Sequence, residues 1–255
     1  MNLYNDFGSY CQTSEWENYL NTDKIKTVFI TSDIDWAPDY AIEVMLDEIS
    51  KRGIKISLFA THKTNILQKK YSDIEIGLHP DYGRANIRGG LEYQIKSLLD
   101  IYPEAKGTRS HQNFFGQNTC NIAHELGLKY EASNIQWRVP FLMPHRDYNQ
   151  MVRIPYYWED GIHADMNLPW DIKELKLDTP GLKVINFHPV FLFLNAPNDN
   201  YRREVTKNYA DLVSVSYQNM NSERYVGNGA FTYFTELLDY LISLNVEFKL
   251  LSDLL

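Results

Sequence analysis

Aspartate, histidine and arginine side chains recur in this sequence directly after the segments with the strongest strand character. Carboxylates and imidazoles are the groups that bind zinc and transfer protons in enzymes. When a cation lies beside one of two carboxylates, that carboxylate stays ionised and the other can take a proton from water that the cation has acidified. The pattern therefore predicts a metal site with acid–base chemistry, built from Asp33, Asp35, His62, His79, Arg109, His111 and His188.

Each of these residues has an ordinary explanation when it is taken alone. An aspartate after a strand usually caps a turn or a helix, and a lone histidine is usually a hydrogen-bonded residue of the core or surface. The opposite ends of the same predicted strands carry only Lys, Asp and Gly. The joint pattern, rather than any one residue, indicates function.

Alternating strand and helix patterns supply the framework that must position these residues. Residues 27–31 form a β-branched and aromatic run, and Ile42, Met45, Leu46 and Ile49 repeat with the spacing of an amphipathic helix. Such alternation favours a parallel sheet, because parallel strands need crossover connections. Strands are predicted at 27–31, 54–60, 74–78, 105–108, 128–132, 184–187 and 246–250.

This element order predicts an α/β fold with a single domain over residues 1–255, in the form of a distorted or incomplete TIM-like (β/α) barrel. About eight strands suit a barrel of this kind, whose active sites lie at the C-terminal ends of the strands. An open doubly wound sheet is the alternative. Asp33 and Asp35 are expected on the same side of the first strand if that strand continues to them, because side chains alternate. The polar segment 195–229 is predicted to form a loop over the site.

Composition and charge exclude several classes of protein. The net charge of −8 disfavours nucleic acid as a partner, because an acidic chain repels phosphates. The sequence contains no run of about 18 apolar residues, so no membrane span is predicted. Residues 1–11 lack the apolar core of a signal peptide, and Cys11 and Cys120 form no disulfide framework or zinc ribbon. The expected location is therefore the cytoplasm.

The same residues resemble the motifs of polysaccharide deacetylases, the NodB-homology or family 4 carbohydrate esterases. The resemblance spans about residues 28–250 and preserves the order of the motifs. It also extends to a bacterial subgroup, the WbmS-like deacetylases, through the Asp-x-Asp-Trp-Ala-Pro-Asp form of residues 33–39, and that subgroup is associated with surface-polysaccharide assembly. The matching segments are Thr31-Ser32-Asp33-Ile34-Asp35, Gly77-Leu78-His79, Gly107-Thr108-Arg109-Ser110-His111, Trp158-Glu159-Asp160 and Ile185-Asn186-Phe187-His188-Pro189.

The resemblance implies a distorted barrel and metal-dependent removal of acetyl groups from sugars. Asp33 would then be the catalytic base, held by Arg109. His188 would be the general acid, oriented by Asp160. Asp35 and His79 would bind the metal, for which zinc is the first expectation, with nickel, cobalt or manganese as alternatives.

Two departures from the family pattern bear on the metal site. Ile34 separates the two aspartates, which are adjacent in the common motif. Gly83 stands where the second metal-binding histidine of the H-[ST]-x-x-H motif would be. His111 is the first candidate to replace that ligand and His62 the second, since a catalytic zinc usually takes three protein ligands.

The predicted function is a metal-dependent deacetylase acting on an N-acetylated sugar or a surface-polysaccharide precursor. Trp36 and Trp158 are the candidates for binding the acetylated sugar. One alternative is a catalytically impaired carbohydrate-binding protein, which the missing histidine favours. Another is a related metal-dependent amidohydrolase of a non-sugar amide.

Overall fold

A computed structural model describes residues 16–19, 25–69, 71–86 and 89–255. Residues 1–11, for which no signal peptide is predicted, lie outside these ranges. Cys11 is one of them. Every helix within the ranges is too short or too polar to traverse a lipid bilayer.

The described residues form a sheet of 10 strands, which run parallel except for one antiparallel pair. The strand order is β6-β7-β5-β4-β3-β2-β1-β9-β8, and β10 pairs with the beginning of β1. The strands are β1 (Thr27–Asp33), β2 (Ile56–Ala60), β3 (Ile74–Leu78), β4 (Gly107–Thr108), β5 (Tyr130–Glu131), β6 (His145–Arg146), β7 (Val152–Arg153), β8 (Trp158–Glu159), β9 (Val184–Phe187) and β10 (Glu247–Phe248).

The sheet curls so that its two sides approach each other across the barrel. A parallel bridge joins Ile135, which follows β5, to Tyr156, which precedes β8. The amide of Gln136 also donates to the carbonyl of Tyr156 at 2.9 Å. These contacts make an incomplete barrel, and the α/β fold predicted from the sequence is confirmed.

The helices cover the outside of the sheet and bury their apolar stripes against it. Pro38 precedes the first helix with φ of −68°, a value already suited to helix initiation, and Gly53 follows that helix with φ of +62°. The helices are α1 (Asp39–Lys51), α2 (Gly90–Leu99), α3 (Gln117–Glu125), α4 (Asp160–Asp165), α5 (Pro189–Leu194), α6 (Asp199–Thr206), α7 (Tyr217–Ser222) and α8 (Ala230–Ser243).

Two glycines make room for aromatic rings inside the barrel. A Cβ on Gly77 would lie 2.8 Å from the ring of Phe59, and one on Gly107 would lie 2.0 Å from the ring of Tyr130. Both rings belong to fully buried side chains. Phe59 in turn packs against Arg109, so this close packing supports the site described below.

The structure corrects the sequence analysis at several elements. The predicted strands 105–108, 128–132 and 246–250 contain only two strand residues each. The predicted loop 195–229 contains α6 and α7, so its assignment as a loop is wrong. Its position over the site is right, because Asp199, Arg202 and Leu212 line the cavity there.

Candidate active site

A cavity of about 550 Å³ opens at the C-terminal ends of the strands. It is where the predicted pattern of ionisable residues converges, since β1, β3, β4 and β9 each deliver a polar residue to it. The ionisable lining from these strand ends and the end of β8 consists of Asp33, Asp35, His79, His111, Glu159 and His188.

Three of these side chains form a group that can hold a metal ion. Nε2 of His79 and Nδ1 of His111 each lie 3.1 Å from Oδ1 of Asp35. One ligand atom from each residue lies within 4.8 Å of the other two. The group has one carboxylate and two imidazoles, which is a donor set that suits zinc.

The backbone around these residues explains how they meet. β1 ends at Asp33, and Asp35 and Trp36 have φ of +40° and +54°. The strand does not continue to Asp35, so the condition for the prediction from alternation is not met, and a turn places Asp35 instead. The amide of His111 donates to the carbonyl of Pro80 at 3.0 Å, which fixes the segment after β4 beside the segment after β3.

The electrostatics of the group fit a cation. Burial would raise the pKa of Asp35, but hydrogen bonds from His111 and His79 outweigh burial and hold the pKa well below its usual value. Asp35 is therefore an anion. Nδ1 of His79 is buried without a hydrogen-bond partner among the described residues, so one polar atom at the site is left unsatisfied by the protein.

His62 does not join this group. Its Nδ1 lies 2.9 Å from the hydroxyl of Thr61, and its carbonyl accepts a hydrogen bond from Tyr102 at 2.9 Å. Burial lowers the pKa of its imidazole. The geometry thus favours His111 over His62 as the third ligand.

Asp33 is held in a buried network beside the metal-ligand group. Arg109, which is 0% exposed, donates from Nη1 to Oδ1 of Asp33 at 3.2 Å. Asn186 donates from its amide nitrogen to Oδ2 at 2.9 Å. Each oxygen of Asp33 therefore has a fixed donor, and its carboxylate is oriented toward the cavity.

Asn186 is a site residue that the sequence analysis did not assign. Its Oδ1 accepts hydrogen bonds from Arg109 at 2.7 Å and from Thr31 at 2.9 Å. It links β9 to Asp33 at the end of β1. The available signal was an amide in the middle of Val184–Phe187, a strand that is buried throughout.

His188 and Asp160 form a short ion pair near Asp33. Nδ1 of His188 lies 2.5 Å from Oδ1 of Asp160, and the backbone amide of His188 donates to Oδ2 at 2.8 Å. Nε2 then lies 3.9 Å from Asp33 and 3.8 Å from Asp35. Burial alone would lower the pKa of His188, but the carboxylate of Asp160 raises it to about 10.

Comparison with known proteins identifies the family. A model of the family described as WbmS-like polysaccharide deacetylase matches residues 30–205. The chain belongs to this family. A search of curated proteins found no match.

Two solved structures illustrate how the fold of this WbmS-like chain is shared. The WbmS protein of Bordetella bronchiseptica, described as a polysaccharide deacetylase involved in O-antigen biosynthesis, has a TM-score of 0.76 and 24% identity, over 84% of this chain and 90% of that one. A protein of Mycobacterium smegmatis, described as a polysaccharide deacetylase, has a TM-score of 0.50 and 13% identity, over 91% and 95% of the two chains. At these identities the likeness shows the fold.

The two tryptophans expected to bind sugar lie in different environments in this WbmS-like chain. Trp36 lines the cavity, and its ring lies edge-on to His111 with centroids 4.9 Å apart. Trp158 is 0% exposed and stacks on Trp137 in the core. The expected role of Trp158 in substrate binding is therefore wrong.

Glu159 is a second lining residue that the sequence analysis left without a role. Its Oε2 lies 2.8 Å from the hydroxyl of Tyr156, and the carboxyl faces the cavity near His188. Burial raises the pKa of Glu159. Its position directly before Asp160, at the end of β8, was the available signal.

Proposed function

We propose that this chain is a metal-dependent deacetylase that removes the acetyl group from an N-acetylated sugar of a surface-polysaccharide precursor. The observation that carries the proposal is the convergence of a metal-ligand group, a buried carboxylate and a histidine–aspartate pair on one cavity. Membership of the polysaccharide deacetylase family supports the reaction class. The described role of the Bordetella WbmS protein in O-antigen biosynthesis supports the substrate class.

Asp35, His79 and His111 would hold the metal, with zinc as the first candidate. When bound, the cation supplies Lewis-acid polarisation of the acetyl carbonyl and lowers the pKa of water. The anionic Asp35, with Nε2 of His79 and Nδ1 of His111 each 3.1 Å from its Oδ1, supports a cation at this position.

Asp33 acts as the general base in this proposal. Arg109 and Asn186 fix its two oxygens, so the carboxylate is oriented before the substrate binds. Its proximity to both His79 and His188, at 3.9 Å each, sets it between the metal ligands and the acid. It accepts the proton of the attacking water as the new carbon–oxygen bond forms.

His188 acts as the general acid. The Asp160 carboxylate keeps its imidazole protonated at neutral pH and directs Nε2 into the cavity. As the carbon–nitrogen bond breaks, Nε2 donates its proton to the departing sugar amine. Asp160 itself stays in place as a positioning residue.

Acetate release from a panel of N-acetylated sugars tests this function. The protein is stripped of metal with a chelator, reloaded with zinc, nickel, cobalt or manganese, and assayed beside the stripped protein. Activity is expected only after reloading. A reloaded protein that binds metal and sugar but releases no acetate would instead support the alternative of a carbohydrate-binding protein.

The predicted cytoplasmic location stays a prediction, and fractionation of cells that express the full-length protein would test it.

Acetate release from non-sugar amides at a higher rate than from sugars would favour the amidohydrolase alternative.

A further inference from the structure

The cavity has two walls with different chemistry. On one wall, Trp36 packs against the metal-ligand residue His111. On the other, the ring of Phe191 lies 6.0 Å from the imidazole of His188, measured between centroids. The guanidinium of Arg202 lies 5.0 Å from the Phe191 ring, so the second wall continues from the general acid to an arginine.

Arg202 and Arg203, adjacent on α6, both line this wall. Asp199 is only 5% exposed, and Nε of Arg202 donates to its Oδ1 at 2.7 Å. Nε of Arg203 donates to the other oxygen of the same carboxylate. One buried carboxylate therefore fixes the direction of two guanidiniums, which is more order than surface arginines usually have.

Two aspartates, Asp199 and Asp165, line this wall together with the two arginines. Asp199 compensates one of the two arginines. Asp165 lies 3.8 Å from Nη2 of Arg203, but its side chain is 70% exposed, so water and salt screen that contact. The Arg203 side chain is 65% exposed at the rim of the cavity, beyond His188, so its guanidinium is accessible to an anionic ligand while Asp199 holds its Nε.

The direction of the proposed reaction places the sugar on this wall. The acetyl group must meet the metal-ligand residues, and the departing amine must meet His188. The rest of the sugar then extends past Phe191 toward Arg202 and Arg203. Guanidiniums in a fixed orientation suit an oxyanion, because their N–H groups match the geometry of phosphate and carboxylate.

We propose that the substrate is an acetylated sugar that also carries an anionic group, a phosphate or a carboxylate, and that Arg202 and Arg203 bind that group. This inference rests on the proposed deacetylase function and adds the charge of the substrate to it. The two arginines are specificity-determining residues, since they touch the part of the substrate that does not react.

Steady-state kinetics with three probes test the inference. The probes are the methyl glycoside of N-acetylglucosamine, N-acetylglucosamine 1-phosphate and N-acetylglucosaminuronic acid. The first is neutral, and the other two separate phosphate from carboxylate as the source of the anion. We expect kcat/KM to be about tenfold higher for one anionic probe than for the neutral probe, through KM.

Arg203→Gln is the test variant, because Arg203 is 65% exposed and its loss leaves Arg202 paired with Asp199. The variant is expected to abolish the preference for the anionic probe, and Arg203→Lys to restore part of it. Lys207→Gln is the matched control. It removes one positive charge just after α6, where Lys207 pairs with Glu204 outside the cavity lining, and it should keep the preference.

Equal kcat/KM values for all three probes in the wild-type protein would overturn the inference. So would an Arg203→Gln variant that retains the anionic preference or lowers all three values alike, because a purely structural role predicts the latter. If no probe releases acetate, the proposed function fails, and calorimetric titration of the 1-phosphate and the uronic acid decides the anion site separately. Binding that Arg203→Gln weakens tenfold would support the site, and absence of binding to the wild-type protein would overturn it.

Discussion

Two buried arginine–carboxylate pairs in this barrel have the same length and different surroundings. Arg109 lies 3.2 Å from Asp33, and Arg153 lies 3.2 Å from Glu131. Glu131 and Arg153 face each other across β5 and β7, and the amide of Ser133 donates to Glu131. Asp33 instead lines the cavity, within 3.9 Å of two histidines.

This difference shows that burial and ion pairing alone do not indicate catalysis. Glu131 also has one donor on each oxygen, the amide of Ser133 and Nη1 of Arg153, but it does not line the cavity, and burial raises the pKa of its carboxyl. We infer that it joins two strands. Asp33 has one fixed donor on each oxygen and a cavity in front of it, so its carboxylate is oriented and still reachable. Contact with the cavity therefore distinguishes Asp33, the proposed base, from the structural pair of Glu131 and Arg153.

The largest predicted effect tests this difference directly. Asp33→Asn keeps the shape of the side chain and removes the base, so kcat should fall by about a thousandfold while metal content is unchanged. Glu131→Gln should leave kcat within about twofold but cost about 1–3 kcal/mol of unfolding free energy, since Arg153 loses one of its two carboxylate partners and keeps Asp147. Acetate release and denaturant unfolding measure the two effects. Wild-type kcat in Asp33→Asn would remove Asp33 from its role.

A smaller effect is predicted for another buried carboxylate, Asp160, whose cationic partner His188 faces the cavity. Since the protonated imidazole is the acid, and its pKa is raised to about 10, activity should fall as the pH rises through that pKa. Asp160→Asn removes the main cause of the raised pKa. The alkaline limb of the kcat profile should then move down by more than about one pH unit.

The pH profiles of both proteins are compared with the same metal bound. A nearby cation lowers the pKa of His188 in both, so the difference between the two profiles is the measured quantity. Identical alkaline limbs would show that Asp160 does not tune His188.

The smallest effect on turnover is predicted for the tryptophans. Trp36→Ala removes a ring from the cavity wall and should raise KM about tenfold with little change in kcat or stability. Trp158→Ala leaves a hole in the core and should cost about 3–5 kcal/mol of unfolding free energy. The KM values and the unfolding midpoints of the two variants distinguish the roles. A KM change in Trp158→Ala without loss of stability would contradict the assignment.

The sequence predicted those elements of the fold whose apolar residues repeat with a regular spacing. β1, β3, α1 and α8 were found because their apolar residues repeat over at least five positions. β6, β7 and β8 were missed because a strand of two residues has no alternation to detect.

The candidate site was predictable in its residue types but only in part in its geometry. Position after a strand, together with the family motifs, pointed to Asp33, His79 and His188. The position of Asp35 depends on the positive φ angles of Asp35 and Trp36, which neither residue type predicts. Trp158 was misplaced because an aromatic residue suits a core and a sugar site equally well.

The measurement that tests the central claim most directly is the zinc content of three purified proteins: the wild type, His111→Ala and His62→Ala. Elemental analysis after zinc loading and desalting should give about one ion per chain for the wild type and for His62→Ala, and a large loss for His111→Ala, because a catalytic zinc needs three protein ligands. Full occupancy in His111→Ala together with loss in His62→Ala would contradict the ligand group of Asp35, His79 and His111.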